Sequence, residues 1–533
     1  MRRTKHILSL ATCILLLFAQ SCKKNEAPLK ATEPVADNSN KKVNAVTDMV
    51  QGLYKIVSLN SYWVASKYIN CYGPNDGDPI DQQDYNVGTG QDWSIDELGG
   101  GDFRLVDLNS GKCLSVPGGV HTPGVQLVQS GWTDAPGQRW KIVYQGYGLY
   151  RMIAKLNSSL GVNYQGGGTA SGVPITLDNF SVAANSYFFF NQCNLGVSGP
   201  TQLARMTGAT PGGETLPNPN QSHFVYNFGG TDLGVMWDMG SGKTGLFFGD
   251  SNRGDWYATG GGGPAGTFFG HNALAFSTDN NLNDGLTFSN MLTTGGITSS
   301  GTAKEAVTGR YCIPTAATRI GTTDYVFYMD VATWTPSLAL NYSRFAKSTN
   351  SGLTWTKLSA PSFAGNSKFA LGALHQRGGY VYMVGTPAYR SAPAYLLRFT
   401  PANILNKAAY QYWDGTNQVW VTNNEAAATD LFALTAVTSP AVGEGSLFYN
   451  GQFRRWIYTY FDPTNYQISL RDATNITGPW SEIKPIATGA SYPGLYGSYI
   501  HPIYSHGDEL YWGMSMWWNY NTFLMRTHLS IVN

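Results

Sequence analysis

The sequence predicts an all-β protein with two folded domains. Charged residues make up 13% and aromatic residues 13% of the 533 residues, and glycine occurs 62 times. This composition is typical of short strands joined by tight turns. One unit recurs three times in residues 51–195, and a different hairpin pattern recurs five times in residues 196–533. Long segments with helical periodicity are missing, and the chain exceeds the length that one core usually organises.

The overall charge argues against a nucleic-acid partner. The chain carries 35 Lys and Arg residues against 34 Asp and Glu residues, for a formal net charge of +1. Without a basic surplus there is little electrostatic attraction to a phosphate backbone. We therefore predict no nucleic-acid partner.

Residues 1–22 have the pattern of an export signal. Positive residues come first, and the apolar run from 7 to 18 is too short to span a membrane. The segment ends in Ala19-Gln20-Ser21-Cys22, which resembles a bacterial lipoprotein cleavage site. The resemblance implies that Cys22 is lipidated and that this anchor alone holds the exported protein on the bacterial outer membrane, facing the periplasm or the cell surface. The alternative is an ordinary secretory signal with a chance cysteine.

Residues 23–50 predict a flexible tether. They are rich in Lys, Asn, Glu, Ala and Pro and contain few large apolar side chains. Such a segment cannot bury enough surface to fold by itself. We therefore expect the folded part of the chain to begin near residue 51.

Residues 51–195 contain the three-fold repeat. Gln91-Asp92-Trp93 recurs 47 residues later as Gln138-Arg139-Trp140. The same step again reaches Asn185-Ser186-Tyr187, so we expect Tyr187 to replace the tryptophan in the third copy. Each unit is too small to bury its apolar face alone, but three units can close one shared core.

The repeated Gln-x-Trp resembles the ricin-type β-trefoil lectin family. In that family the aromatic residue fills the core, and a sugar site adds an early Asp, a platform aromatic residue and an Asn just before the Gln. The resemblance therefore implies a β-trefoil in residues 51–195. Here the early position of the second repeat is Ser115, and the positions before the Gln are Gly90, Gly137 and Ala184.

The usual polar clamp of a lectin site is thus absent, but other residues can take its place. Trp132 and Asp134 in the second repeat offer an aromatic face and a short carboxylate, which suit the C–H surface and the hydroxyls of a sugar. Asp178 and Asn179 offer polar groups in the third repeat. A purely structural trefoil is the alternative.

Residues 196–533 predict a five-bladed β-propeller. The hairpin-like units open at Asp232, Gly309, Phe369, Gly443 and Gly497, roughly 55 to 80 residues apart. A propeller arranges the innermost strands of its blades around a central channel. The start of the first strand and the end of the second strand of each inner hairpin lie at the same end, so residues at these positions line one pocket.

The first hairpin places a carboxylate at each of these two positions, Asp232 and Asp250. Cleavage of a glycosidic bond needs two carboxyl groups, one that protonates the leaving oxygen and one that acts as nucleophile or activates water. Two adjacent carboxyl groups also push their pKa values apart. We therefore predict Asp232 and Asp250 as a catalytic pair; the alternative is that one of them caps a turn. The corresponding positions of the other units are Arg310, Asp330, Thr386, Arg390, Glu444, Asp462, Tyr499 and His501.

A series of short motifs resembles a bacterial propeller family classed as domain of unknown function 4185. The motifs are Thr231-Asp232-Leu233-Gly234, Phe248-Gly249-Asp250, Gly270-His271-Asn272, Gly443-Glu444-Gly445-Ser446 and Ile500-His501-Pro502. Members of that family are endo-D-arabinanases (glycoside hydrolase family 183) that act on mycobacterial arabinan. The resemblance covers roughly residues 220 to 533 and implies that the essential acidic pair is Asp232 and Asp250.

Several further residues are candidates for substrate binding. Glu444 and His501 stand at motif positions for which we infer pocket roles. Arg253, Asp255 and Trp256 follow Asp250 on a predicted loop, and His271 belongs to one of the motifs. For each of the last four residues, a structural role is the alternative.

The sequence leaves three functions open. The first is an endo-acting glycoside hydrolase with a polysaccharide substrate, most consistent with D-arabinan, on which the trefoil would hold the enzyme. The second is a non-catalytic surface lipoprotein that binds glycans. The third is a sialidase or polysaccharide lyase, although the sequence shows no clear arginine triad for a sialidase. No cofactor or catalytic metal is predicted, and a structural calcium in the channel stays open because no loop motif demands one.

Overall fold

The computed structural model describes residues 49, 51–62, 66–86, 90–180, 184–255, 262–309, 311–335, 337–388, 390–433 and 441–532. The predicted signal segment with Cys22 lies outside these residues, as do most of the predicted tether, Trp256 and Arg310. The described part of the chain is almost entirely strands and turns, as predicted for an all-β protein. No helix in it is both long enough and apolar enough to cross a bilayer.

Among the described residues, the ricin-like trefoil region contains twelve strands of its own, the first part of a strand shared with the propeller, and one short helix. The strands are β1 (Gly52–Ser58), β2 (Lys67–Cys71), β3 (Ile80–Asp84), β4 (Trp93–Gly99), β5 (Asp102–Asp107), β6 (Cys113–Ser115), β7 (Val125–Gln126), β8 (Val128–Ser130), β9 (Trp140–Gly146), β10 (Leu149–Ala154), β11 (Leu160–Tyr164) and β12 (Val173–Asn179), and the helix is α1 (Leu59–Tyr62). Trp93 and Trp140 are fully buried, and their indole N–H groups donate to the carbonyls of Ile69 and Leu114, both at 3.1 Å. The two copies therefore fill the core in the same way.

The third copy fills the core one residue later than predicted. Phe188 is fully buried, whereas Tyr187 is partly exposed and its hydroxyl accepts a hydrogen bond from Arg151 at 2.7 Å. The expectation that Tyr187 replaces the tryptophan is therefore wrong, because this repeat is one residue longer. The 3-10 turns Pro136–Gln138 and Ala184–Ser186 are equivalent, so Ser186 takes the place of Gln138.

In the described part of the chain, four antiparallel sheets form a propeller-like arrangement of four blades. The first contains β14 (Gly230–Asp238), β15 (Thr244–Asn252), β16 (Phe268–Gly270), β17 (Ala273–Ser277), β18 (Asn290–Thr293) and β19 (Gly296–Thr298). The second contains β20 (Cys312–Ile320), β21 (Thr323–Thr333), β22 (Ala339–Ser348) and β23 (Thr356–Ala364). The third contains β24 (Leu371–Arg377), β25 (Tyr380–Thr386), β26 (Tyr395–Phe399), β27 (Gln411–Asp414) and β28 (Val419–Thr422), and the fourth β29 (Gly445–Asn450), β30 (Arg455–Asp462), β31 (Gln467–Ala473) and β32 (Lys484–Thr488). A short helix α2 (Ser222–Val225) precedes the first sheet.

A further antiparallel set, which has the order β33-β34-β35-β13, is continuous with the trefoil. It consists of β33 (Leu495–Ile500), β34 (Glu509–Met516), β35 (Asn521–Val532) and β13 (Phe188–Arg205). The first strands of the five sets contact one another in the order β14, β20, β24, β29 and β33, and β33 also contacts β14. The sheet pairing separates only four of the five predicted blades, because the last set shares β13 with the trefoil.

The strand β13 belongs to both parts of the protein. Its residues 188–193 pair with β1 of the trefoil, and residues 194–205 pair with β35. The predicted domain boundary between residues 195 and 196 therefore falls inside one strand. Leu53 and Leu108 of the trefoil also pack into the same apolar cluster as Phe453 and Ile457 of the fourth sheet.

Candidate active site

The backbone around Asp232 turns its side chain towards the neighbouring strand. The pairing of β14 with β15 shifts register on both sides of Leu233, as in a β-bulge. Leu233 has a φ of 61°, a region that β-branched and bulky residues rarely adopt, and Gly234 has a φ of 134°. On β15, a Cβ on Gly249 would overlap Oδ1 of Asp232. A strained bulge and a missing side chain thus make room for this carboxyl group.

Burial governs the electrostatics of Asp232. Its Oδ1 atom is enclosed and has no hydrogen-bond partner among the described residues. Burial and the adjacent Asp250 raise the pKa of Asp232 well above its usual range, and the charge of Glu444 adds to this. The Tyr496 phenol and Arg390 act in the opposite direction with smaller effect. A carboxyl group in this environment keeps its proton at a higher pH than an exposed one.

Asp250, near the end of β15, is held by a histidine. Its Oδ1 lies 2.8 Å from Nδ1 of His271, and both side chains are about four-fifths buried. The backbone N–H of His271 donates to Glu305 at 2.9 Å, and the His271 ring packs on Tyr311 with 4.4 Å between ring centres. The imidazole is therefore fixed at its main chain and on one face. The structure brings Asp232, Asp250 and His271 together.

Glu444 reaches the same site and forms an ion pair with Arg390. Nε and Nη2 of Arg390 donate to its two carboxylate oxygens, with distances of 3.1, 3.0 and 2.6 Å. Although burial lowers it, the Glu444 carboxylate raises the pKa of Arg390 above its usual value. The pair is bidentate, the strongest arrangement for these two groups. Arg390 was at a predicted pocket position, but its pairing with Glu444 was not visible in the sequence.

Three tyrosines complete the wall around Asp232, and two of them were missed from the sequence. Burial and the charges of Asp232 and Asp250 raise the pKa of Tyr520. Tyr496 and Tyr499, on β33, are 7% and 3% exposed, and burial raises the pKa of each, with further contributions from Asp232 and Glu444. Tyr496 was missed because β33 begins at Leu495, two residues before Gly497, where the fifth unit was predicted to open.

A small pocket adjoins Glu444. It lies between the second, third and fourth sheets, which supply mainly small and apolar side chains. The lining residues are Thr315, Leu371, Gly372, Val384, Thr386, Gly443, Glu444, Gly445 and Tyr458.

His501 does not join this cluster. It follows the end of β33, and its Nε2 lies 3.4 Å from Oγ1 of Thr244, the first residue of β15. Asp250 stands near the other end of β15, so the two groups face opposite ends of the sheet. The backbone N–H groups of Ile503 and Tyr504 donate to Nδ1 at 3.3 Å, and burial lowers the pKa of His501 to about 3. These contacts give His501 a structural role, in contrast to the predicted pocket role.

Arg253 and Asp255 make local contacts beyond the end of β15. The Arg253 guanidinium donates to the carbonyl of Ala303 at 2.6 Å and lies 4.0 Å from the ring centre of Phe269. Asp255 is exposed and accepts from the hydroxyl and the backbone N–H of Thr267 at 2.6 and 3.1 Å. Both residues thus have local partners, in contrast to the predicted substrate-binding roles.

The predicted sugar-binding residues of the trefoil already have partners. The Arg104 guanidinium lies 4.9 Å from the ring centre of Trp132, and Arg139 donates to Asp134 at 2.9 and 2.5 Å. In the third repeat, Asn185 directly precedes Ser186, the residue equivalent to Gln138. The amide oxygens of Asn185 and Asn163 are enclosed without a hydrogen-bond partner among the described residues. The shift of one residue therefore puts an Asn, not Ala184, just before the Gln position.

The described part of the chain offers little for metal binding or cysteine chemistry. No three side chains of His, Cys, Asp or Glu within it are grouped so that they could hold a metal ion. Cys71, Cys113, Cys193 and Cys312 are buried. Burial raises the pKa of each of these thiols, which makes them poor nucleophiles.

The fold and site define an all-β protein with a trefoil joined to propeller-like sheets that enclose an acidic pocket. The chain belongs to the family described as domain of unknown function (DUF4185), whose model matches residues 217–526. A second model, the ricin-type beta-trefoil lectin domain-like family, matches residues 89–178. No curated protein matches the chain.

Each similar solved structure covers a part of the chain. A candidate hydrolase from Bacteroides ovatus covers 57% of this chain and 86% of its own, at 12% identity and a TM-score of 0.40. The designed three-fold symmetric protein ThreeFoil covers 26% of this chain and 99% of its own, at 26% identity and a TM-score of 0.25. The exo-beta-1,3-galactanase 1,3Gal43A from Clostridium thermocellum covers 27% of this chain and 31% of its own, at 23% identity and a TM-score of 0.25.

Proposed function

We propose that this protein is a glycoside hydrolase whose catalytic pair is Asp232 and Asp250. The observation that carries the proposal is the contrast between the two carboxyl groups. Asp232 is enclosed with a raised pKa, which suits a general acid that protonates the leaving glycosidic oxygen. Asp250 is held by His271 at 2.8 Å, which suits a carboxylate that attacks the anomeric carbon or takes a proton from water.

We propose that the substrate is an arabinan and that the enzyme cleaves internal linkages of this polysaccharide. This part of the proposal rests on the family resemblance carried by the motifs around Asp232, Asp250, His271 and Glu444. The carboxyl groups and phenols of the pocket are consistent with binding a sugar rich in hydroxyl groups. A non-catalytic glycan-binding protein is the second candidate.

The experiment is incubation of the protein with purified mycobacterial arabinogalactan. We expect the wild type to release oligosaccharides and both Asp232→Asn and Asp250→Asn to lose this release while remaining folded. Asp238→Asn is the matched control, since this exposed carboxylate lies at the opposite end of β14, the strand that carries Asp232. Binding of the polymer without release by the wild type would favour the second candidate and remove the catalytic assignment.

We further propose that β33, β34, β35 and β13 form a fifth blade. The contacts of β33 with both β29 and β14 support this, because the first strands then form a closed ring. In this arrangement β13, which comes before the other propeller strands in the chain, supplies the outermost strand of the last blade. Because β13 precedes the propeller strands in sequence and pairs with the last strand, β35, it would link the beginning of the propeller to its end.

For the trefoil, we propose glycan binding with the third repeat as the site. Asn163 and Asn185 present unpartnered oxygens there, whereas Trp132 and Asp134 are occupied by Arg104 and Arg139. We expect Asn185→Ala to reduce retention of the protein on immobilised arabinogalactan more than Asp134→Ala does. Equal retention of both variants and the wild type would point to a purely structural trefoil.

We also propose that the protein is exported and anchored by a lipid on Cys22. The proposal rests on the sequence of residues 1–22. Metabolic labelling with a fatty acid should label the wild type and not Cys22→Ala. Equal labelling of both would contradict it.

A further inference from the structure

The exposed aromatic side chains of the propeller lie at one end of it. Among the described residues after 205, six Phe, Tyr and Trp side chains are at least 41% exposed, and all six are near the end that carries Asp232 and Asp250. They are Phe224, Phe268, Trp334, Tyr466, Trp517 and Trp518. Exposed apolar side chains that gather in this way are typical of a surface that binds a ligand or a partner.

Contacts with His271, which holds Asp250, place two of these side chains at that end. The ring centre of Phe268 lies 4.9 Å from that of His271. Trp334 comes three residues after Val331, whose backbone N–H donates to the carbonyl of Tyr311 at 3.2 Å. The Tyr311 ring in turn packs on His271.

Backbone contacts place Phe224 and Tyr466 at the same end. Phe224 comes three residues before Asn227, whose side chain accepts a hydrogen bond from the N–H of Gly254 at 2.9 Å, just beyond the end of β15. The Tyr466 hydroxyl accepts from the N–H of Gly494 at 2.6 Å, and the Gly494 carbonyl accepts from the turn that carries the last two side chains, at 2.7 Å.

That turn joins β34 to β35 and contains Trp517 and Trp518. The backbone N–H of Thr231, the residue before Asp232, donates to the carbonyl of Tyr520 in the turn at 2.8 Å. The ring centre of Tyr520 lies 5.8 Å from that of Trp517, and burial together with the charges of Asp232 and Asp250 raises the pKa of Tyr520. Tyr520 thus links the tryptophan turn to the acidic pair.

Both indoles rest on glycine backbone. A Cβ on Gly262 would overlap the pyrrole ring of Trp517, and a Cβ on Gly263 would overlap its benzene ring. The N–H of Gly263 also donates to the Trp517 carbonyl at 2.8 Å. Gly494, which has a φ of 84°, leaves the same kind of space for Trp518. The missing side chains let each indole lie against the main chain, while 44% of Trp517 and 41% of Trp518 stay open to solvent.

An aromatic ring that is fixed on one side and open on the other suits the C–H face of a sugar. The turn offers no charge of its own, because residues 510–525 contain no Lys, Arg, Asp or Glu. A membrane surface would favour Lys or Arg beside the aromatic rings. The position next to the acidic pair points instead to the glycan chain on which that pair acts.

We propose that Trp517 and Trp518 stack on sugar units that lie away from the linkage being cleaved. This rests on the proposed function and adds to it a remote binding site, through which the enzyme selects long glycan chains over short ones. The two indoles hold the chain and do not touch the reacting atoms. Binding of this kind lowers KM for a polysaccharide and leaves the chemical step unchanged.

The test measures kcat and KM of Trp517→Ala and Trp518→Ala on arabinogalactan and on the shortest arabinan oligosaccharide that the wild type cleaves. In each variant the KM for arabinogalactan should rise about tenfold with little change in kcat, and the KM for the short oligosaccharide should stay unchanged. Leu405→Ala is the matched control, because this leucine is 43% exposed and follows β26 at the opposite end of the third sheet. Its kinetics should equal those of the wild type on both substrates.

Two further variants keep the test valid if the loss of an indole disturbs the turn. Trp517→Tyr retains a flat ring and should keep a KM for arabinogalactan near that of the wild type. Trp517→Leu retains apolar bulk without a ring and should show the full rise in KM. A leucine variant with the KM of the wild type would overturn the proposal.

The alanine variants can overturn it in two ways. Their KM for arabinogalactan could equal that of the wild type, or their KM could rise equally on both substrates. If the KM is unchanged and the variants instead lose binding to phosphatidylglycerol vesicles, the turn belongs to a membrane surface.

The outcomes also separate this inference from the proposed function. A wild type that does not cleave arabinogalactan would remove the proposed function and this inference with it. A wild type that cleaves both substrates, with alanine variants that have its KM on both, would remove only this inference.

Discussion

Gly249 and Asp232 face each other across the first two strands of the first sheet. The carboxyl group of Asp232 occupies the space that a side chain on Gly249 would take. Since Leu233 and Gly234 fix the bulge at positive φ, the carboxyl group cannot easily retreat towards its own strand. The glycine is thus part of the site, although it contributes no functional group.

Replacement of Gly249 should therefore damage activity more than stability. In Gly249→Ala the new methyl group pushes the end of the Asp232 side chain out of place, and a displacement of about 1 Å can lower the rate about 100-fold. Initial rates on arabinogalactan and a thermal melt measure the two effects. Gly199→Ala is the matched control, because this strand glycine has open space at its Cβ position. An active Gly249→Ala variant would show that the position of Asp232 is not critical.

His271 should act as a positioning residue for Asp250. His271→Phe keeps a ring against Tyr311 but loses the 2.8 Å contact with Asp250, and we expect kcat to fall about 10- to 100-fold with little change in KM. His271→Gln can still donate to Asp250 and should recover part of the loss. A phenylalanine variant with wild-type kcat would contradict the role, whatever its melting temperature.

The sequence predicted the repeats and the acidic pair but not the register of every unit. Asp232 and Asp250 could be predicted because two arms of one hairpin share an end. His501 was predicted to stand near the start of a strand, on the rim of the pocket. In the structure β33 already begins at Leu495, so His501 follows the end of that strand and lies away from the pocket. The Phe188 position was missed because the third repeat is one residue longer. The Arg390–Glu444 pair joins the third and fourth sheets, and the Asp250–His271 pair joins β15 to the turn between β16 and β17. Local sequence patterns encode neither contact.

The buried Asp232 should make stability depend on pH. Burial and Asp250 raise its pKa in the folded protein above the ordinary Asp value of about 3.9. Its contribution to stability is therefore fully present below that value and is lost as the pH rises towards the folded pKa. Asp232→Asn cannot lose a proton, so its melting temperature relative to the wild type should increase from pH 4 upwards. A difference in melting temperature that is constant between pH 4 and pH 8 would contradict the raised pKa.

Asp96 should contribute more to the contact between trefoil and propeller than its partner Arg454 does. Arg104 of the trefoil donates to Asp96 at 2.7 Å, and Arg454, in the turn between β29 and β30, also bonds to it. All three side chains are at most about one-fifth exposed. Asp96→Asn leaves two guanidinium groups without a counter-charge, which should lower the free energy of unfolding by about 2–3 kcal/mol. Arg454→Met leaves Asp96 paired with Arg104 and should cost less than about 1 kcal/mol.

The two parts should nevertheless unfold together in both variants. Because β13 pairs with β1 at one end and with β35 at the other, separation of the trefoil from the propeller would break one strand out of both sheets. A single calorimetric transition is therefore expected for the wild type, Asp96→Asn and Arg454→Met. Two resolved transitions in the wild type would show that the shared strand does not couple the two parts. Two transitions in Asp96→Asn alone would instead assign the coupling to the ionic contact, with β13 serving as a passive connection.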